Sequence, residues 1–79
     1  MKDTAYRIIS IIADKSGIDE TKITRNSKFN EDLGADSLDT VEIMIEIEQE
    51  FGLQIPDKLA EELKTVGDAI DYVEKQINK

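Results

Sequence analysis

Gly34-Ala35-Asp36-Ser37-Leu38-Asp39-Thr40-Val41-Glu42-Ile43-Met44-Ile45-Glu46-Ile47-Glu48-Gln49-Glu50-Phe51-Gly52 runs from a loop into a single helix and stops at a glycine. At ~100° per residue, Thr40, Ile43, Met44, Ile47 and Phe51 fall within one arc, the stripe a helix buries in a small bundle. Gly52 follows the last periodic residue, where a left-handed C-cap is expected. The spacing predicts a helix over 37–51.

Upstream, Ala5, Ile8, Ile9 and Ile12 recur at helical spacing behind possible caps at Asp3 and Thr4, and Ser16-Gly17 closes the pattern. The intervening stretch 16–36 has no sustained period. A loop that long in a small domain must be functional or fixed to the core, and Ile18, Ile23, Phe29 and Leu33 are the residues that can fix it. Downstream, Leu53-Gln54-Ile55-Pro56 is extended, as residues before proline tend to be, and Asp57 is placed to cap a short helix ending near Leu63. Thr65 starts a final helix with Val66, Ala69, Ile70, Val73 and Ile77 on one face. No segment reads as a strand. The expected fold is all-α, a small four-helix bundle with three longer helices, one short third helix and a long loop between the first and second.

Composition restricts the function. Seventy-nine residues make one domain, and a chain that small buries only about 60% of its unfolded surface, so stability is marginal. There is no cysteine and no histidine. Thioester chemistry therefore needs a borrowed sulfur, and Ser37 lacks the usual base for nucleophilic catalysis. The net charge is −8, from 18 acidic and 10 basic residues. Between Lys28 and Lys58 stand Glu31, Asp32, Asp36, Asp39, Glu42, Glu46, Glu48, Glu50 and Asp57 with no base. Such a block repels nucleic acid and anionic membranes and steers basic protein surfaces toward the middle of the chain. It should also make the fold respond to salt. No apolar run is long enough to span a membrane, and no signal-peptide core follows Met1-Lys2-Asp3-Thr4, so a cytoplasmic location is expected.

The second helix carries more apolar surface than one core contact uses. Leu38, Val41 and Ile45 form a second arc beside the first, Asp39, Glu42, Glu46 and Glu50 line the opposite flank, and Glu48 lies between the two apolar arcs. An apolar strip ringed by acids is an interaction surface. The alternative is that the three residues widen the core contact beneath the long loop.

The run Gly34-Ala35-Asp36-Ser37-Leu38-Asp39-Thr40-Val41-Glu42, with Phe29, Asp32, Leu33, Phe51, Ile55-Pro56-Asp57 and Thr65-Val66, resembles the acyl carrier protein family over nearly the whole chain. The resemblance implies a non-enzymatic carrier, residues 1–79 forming a single acyl-carrier domain with 4'-phosphopantetheine attached covalently to Ser37. It implies type II fatty acid synthesis, with related carriers for polyketides, aminoacyl groups or lipid A acyl donors sharing the site. The implied partners are acyl chains, a phosphopantetheinyl transferase that takes the arm from coenzyme A with magnesium, and synthesis enzymes with basic patches. Asp36, Leu38, Asp39, Val41, Glu42, Ile45 and Glu48 are the positions that would face those enzymes. The carrier is expected to be a monomer with no membrane insertion. Ile45 stands where many fatty-acid carriers have methionine, and Gln49 where they have another acid.

For Ser37 itself the competing role is an ordinary N-cap. Gly34 frees the turn, Asp36 is itself an adequate cap, and free N–H groups with the positive helix end favour a phosphate by about 0.3 to 1 kcal/mol. Ile43, Ile47, Leu59, Leu63, Ile70 and Val73 are core residues that could also part around an acyl chain. Two other classes are weighed. Asn30, Asp32 and Asp36 look like a calcium loop, but the sixth position from Asn30 is Ala35 and the twelfth Val41, so no metal site is expected. An unmodified acidic adaptor differs from a carrier only in the fate of Ser37.

Overall fold

The computed structural model describes residues 3–78. Met1 and Lys2, which enter the leader argument, and Lys79 lie outside them. Four α-helices follow in order: α1 (Thr4–Ser16), α2 (Ser37–Phe51), α3 (Asp57–Glu62) and α4 (Val66–Ile77), with a 3₁₀ turn at Glu20–Lys22. Among the described residues there is no strand, only an isolated antiparallel bridge between Lys28 and Thr65. The all-α reading holds.

Local chemistry sets the helix ends. The Asp3 side chain accepts the Tyr6 N–H at 2.8 Å, and Thr65 and Asp68 form a capping box at the start of α4. Gly52 takes φ +66° and its N–H bonds to the Glu48 carbonyl, the left-handed cap expected for α2. Asp57 differs from expectation. It is the first residue of α3 rather than its cap, the cap position falls to Pro56, and no side chain bonds to that helix start.

The core is a layer of branched aliphatics between α1, α2 and α4. Ile8, Ile12, Ile43, Ile47, Val66, Ile70 and Val73 are essentially sealed from solvent. Of the expected α2 stripe, Ile43, Met44 and Ile47 are buried, while Thr40 and Phe51 at its ends are half-buried. Ile77 departs from the α4 face. It is 46% exposed and lies in the last turn of the helix.

The long loop is fixed as expected by Ile23, Phe29 and Leu33, all buried, with Ile18 half-buried. Ser27 and Ala35 are buried too, which apolar periodicity could not show. The burial of Ser27 goes with backbone bonding to α4, and Ala35 N–H bonds within the loop to the Phe29 carbonyl. Val66 N–H donates to the Ser27 carbonyl and Gly67 N–H to that of Arg25, so loop carbonyls satisfy free N–H groups at the start of α4, while Phe29 N–H donates in return to the Lys64 carbonyl. Gly67 permits this approach, since a Cβ there would sit 3.0 Å from the Arg25 carbonyl oxygen. Arg25 also pairs with Asp71 at 2.5 Å.

Candidate functional site

The segment that delivers Ser37 is wound on itself. Asp32 and Leu33 N–H groups donate to the Lys28 carbonyl and Ala35 N–H to Phe29, while the Asp32 carboxylate accepts the Lys28 N–H at 2.7 Å. Gly34 takes φ +66° between them, a conformation that favours glycine. With Phe29, Leu33 and Ala35 buried, the chain surfaces at Asp36 and α2 begins at Ser37.

Asp36 holds the cap. Its Oδ1 accepts the Asp39 N–H at 2.9 Å, and Asp39 returns a longer contact of 3.4 Å to the Asp36 N–H. Ser37 is exposed, and no hydrogen bond to its Oγ occurs among the described residues. The capping role that competed for this serine is filled by its neighbour, leaving a primary hydroxyl facing solvent at the N-terminus of a helix.

Ser37 lies on the rim of a groove of about 590 Å³ between the start of α2, α3 and the end of the long loop. Thr40 and Val41 contribute from α2, Phe29 and Glu31 from the loop, and Ala60 and Leu63 from α3 and the residue just beyond it. This is not the channel among α2, α3 and α4 that the aliphatic residues could have formed. Ile43, Ile47, Ile70 and Val73 pack on one another as core, and of that set only Leu63 reaches the groove. Lys28 and Lys64 also line it. The bridge pairing Lys28 with Thr65 brings them together, and hydrophobic spacing carries no trace of that pairing.

The second arc of α2 is exposed: Leu38 by 66%, Val41 by 43% and Ile45 by 44%. It does not widen the core. The acids around it divide into groups. Glu50 is held by Arg7 at 2.7 Å, with the guanidinium also 4.4 Å above the Phe51 ring, and Glu46 lies 3.5 Å from Lys15. Asp36, Asp39 and Glu42 have no ion pair among the described residues. Glu48 behaves differently from an outward-facing charge: it is half-buried and its Oε2 accepts the Ile55 N–H at 2.5 Å. The two shifted ionisable groups lie elsewhere. Backbone and hydroxyl hydrogen bonds from Thr21 lower Asp19, and Asp71 beside Arg25 raises the guanidinium further.

A family model described as the phosphopantetheine attachment site matches residues 7–73. Two relatives named acyl carrier protein, from two strains of Porphyromonas gingivalis, are each 49% identical over 77 residues, spanning 98% of this chain and 99% of theirs. The chain belongs to the acyl carrier protein family. As a member of the acyl carrier protein family it is a phosphopantetheine-bearing carrier of acyl groups and not an enzyme. Its residues fit the group, since an exposed hydroxyl at a helix start with a groove alongside is what a covalent phosphodiester arm requires. Among the described residues no helix is long and apolar enough to cross a membrane, and no cluster of three metal-ligating side chains occurs.

Proposed function

We propose that this carrier serves fatty acid biosynthesis, with Ser37 as the attachment residue of the 4'-phosphopantetheine arm and residues 1–79 acting as one acyl-carrier domain. The observation that carries the reading is the free Ser37 hydroxyl, released from capping by Asp36. When bound, the arm supplies the thiol that a chain without cysteine lacks, and acyl groups ride on it as thioesters. The chain's own residues do the rest. Ser37 gives its hydroxyl to the phosphodiester, and the exposed strip of Leu38, Val41 and Ile45 seats the partner. Asp36, Asp39 and Glu42 draw that partner's basic patch. The first such partner is a phosphopantetheinyl transferase, which must approach Ser37 along this face, and the carrier meets it as a cytoplasmic monomer.

The test is the intact mass of the protein before and after incubation with coenzyme A, magnesium and a phosphopantetheinyl transferase, beside Ser37→Ala. A gain of one phosphopantetheinyl unit that the variant lacks is expected. A folded chain that gains nothing would make the acidic adaptor the better reading. Pathway is then decided by which discrete enzymes accept the loaded carrier, those of fatty acid synthesis being expected over polyketide, aminoacyl or lipid A systems.

A further inference from the structure

The connector between α2 and α3 is tied mainly to one residue of α2, Glu48. The Glu48 carbonyl accepts the N–H groups of Gly52 and Leu53, and its carboxylate accepts that of Ile55. Ile55 is buried and the bond is part-buried, so loss of the Glu48 acceptor leaves its N–H poorly satisfied. Pro56, next in line, has no N–H to offer. The other tie on this connector is the Tyr72 hydroxyl of α4, which donates to the Gln54 carbonyl at 3.0 Å.

What hangs from the connector is α3. It is six residues long, has no side-chain cap and contains no fully buried residue, with Leu59 and Ala60 only partly covered. A segment with so few buried apolar contacts belongs to the low-stability end of a domain, where local opening occurs without global unfolding. Yet Asp57, Ala60 and Glu61 of α3 line the groove beside Ser37. That wall is held by the connector as well as by the packing of Leu59 and Ala60 against the core.

We propose that Glu48 is a positioning residue: by accepting the Ile55 N–H it holds α3 as the movable wall of the Ser37 groove, and so governs how well that groove retains what lies in it. The role differs from presenting a charge to a partner, although Glu48 continues the strip begun by Leu38, Val41 and Ile45. It requires an acceptor oxygen at this position and does not require a negative charge. Glu48→Gln keeps the oxygen and removes the charge, whereas Glu48→Ala removes both.

Hydrogen exchange of the full chain, read by mass spectrometry, separates the roles. Glu48→Ala is expected to speed exchange over residues 53–63 by about three- to tenfold, the loss of one net hydrogen bond, while α1 and α4 keep their rates. Glu48→Gln is expected to match the parent, and Tyr72→Phe, which cuts the second tie, to speed the same segment. Unchanged exchange over 53–63 in Glu48→Ala, or a Gln variant as impaired as the Ala variant, overturns the proposal. A second arm loads octanoyl-phosphopantetheine from octanoyl coenzyme A and follows thioester cleavage by hydroxylamine, expected to be faster in Glu48→Ala than in Glu48→Gln; equal rates overturn the retention role. This arm rests on Ser37 being the attachment residue. If intact mass shows no loading, that attachment reading fails, and the exchange arm still decides the role of Glu48.

Discussion

Replacing Asp36 and Ser37 one at a time tests the division of labour on which the site depends. Asp36→Ala removes the 2.9 Å bond to the Asp39 N–H while the backbone bond from Thr40 N–H to the Asp36 carbonyl remains. Loss of an N-cap side chain costs about 1 kcal/mol, within a range of about 0.5 to 2. Relief of repulsion between Asp36 and Asp39 offsets part of this, and loss of a negative charge at the positive helix end adds about 0.3 to 1 kcal/mol. In a domain of this size a change of about 1 kcal/mol moves Tm by roughly 4–8 °C. Ser37→Ala removes no hydrogen bond and introduces a better helix former, so its effect should be within about 0.5 kcal/mol and of stabilising sign. Asp36→Asn, with an equivalent cap oxygen, should fall between the two. Thermal melts followed by circular dichroism at low salt measure all three on the unmodified protein. If Ser37→Ala lowers Tm as much as Asp36→Ala, the serine is itself the cap and the argument from its free hydroxyl collapses.

Three further outcomes are expected. Ile47→Ala, at a site with no solvent exposure, should cost about 2–5 kcal/mol, enough to leave so small a domain largely unfolded in a urea titration. Leu38→Ser with Ile45→Ser, or Glu42→Lys alone, should leave Tm nearly unchanged yet slow loading by the transferase, since these side chains face outward; a large fall in Tm would return the strip to the core. Arg7→Ala should destabilise by about 1 kcal/mol and make the melt more salt-sensitive, because Glu50 loses its partner and Phe51 its cation.

The three longer helices are legible because each carries its own signals: a period of 3.6, an oxygen-bearing cap at Asp3, Asp36 or Thr65 and, at Gly17 and Gly52, a left-handed stop. That Ser37 is left out of the cap was legible for the same local reason, as Asp36 beside it could take that role, while its place as attachment residue came from the resemblance. The groove was not. It depends on the pairing of the loop near Lys28 with residues 64–65 and on where α3 comes to rest, and both are set by backbone bonds between distant segments. Asp57 falls inside α3 rather than at its cap because a residue after proline that resembles a cap can equally be the first residue of the helix. Periodicity places Glu48 between the two apolar arcs, and the resemblance counts it among the residues facing a partner. No count of faces could show that the next segment returns its Ile55 N–H to that carboxylate.

The acidity of α2 also changes meaning once each carboxylate is assigned. Counted along the sequence, the acids form an unbroken repulsive block that a marginal fold must tolerate. In the structure most have work within the domain: Asp39 in the capping box, Glu46 and Glu50 against the bases of α1, and Glu48 on the connector. Glu42 alone among the acids of α2 has no bond among the described residues. Charges fixed by internal bonds are preorganised, so a basic partner meets a field already aimed around the exposed strip and does not have to order those side chains itself. The same arrangement lowers the self-repulsion that composition alone implies, because Arg7 and Lys15 are brought to the flank of α2 by the packing of α1. In the proposed docking, folding and partner recognition would draw on the same carboxylates. Substitutions at Glu46 or Glu50 are expected to disturb both, Glu48 acts on the connector through its acceptor oxygen, and Glu42 is expected to report on recognition alone.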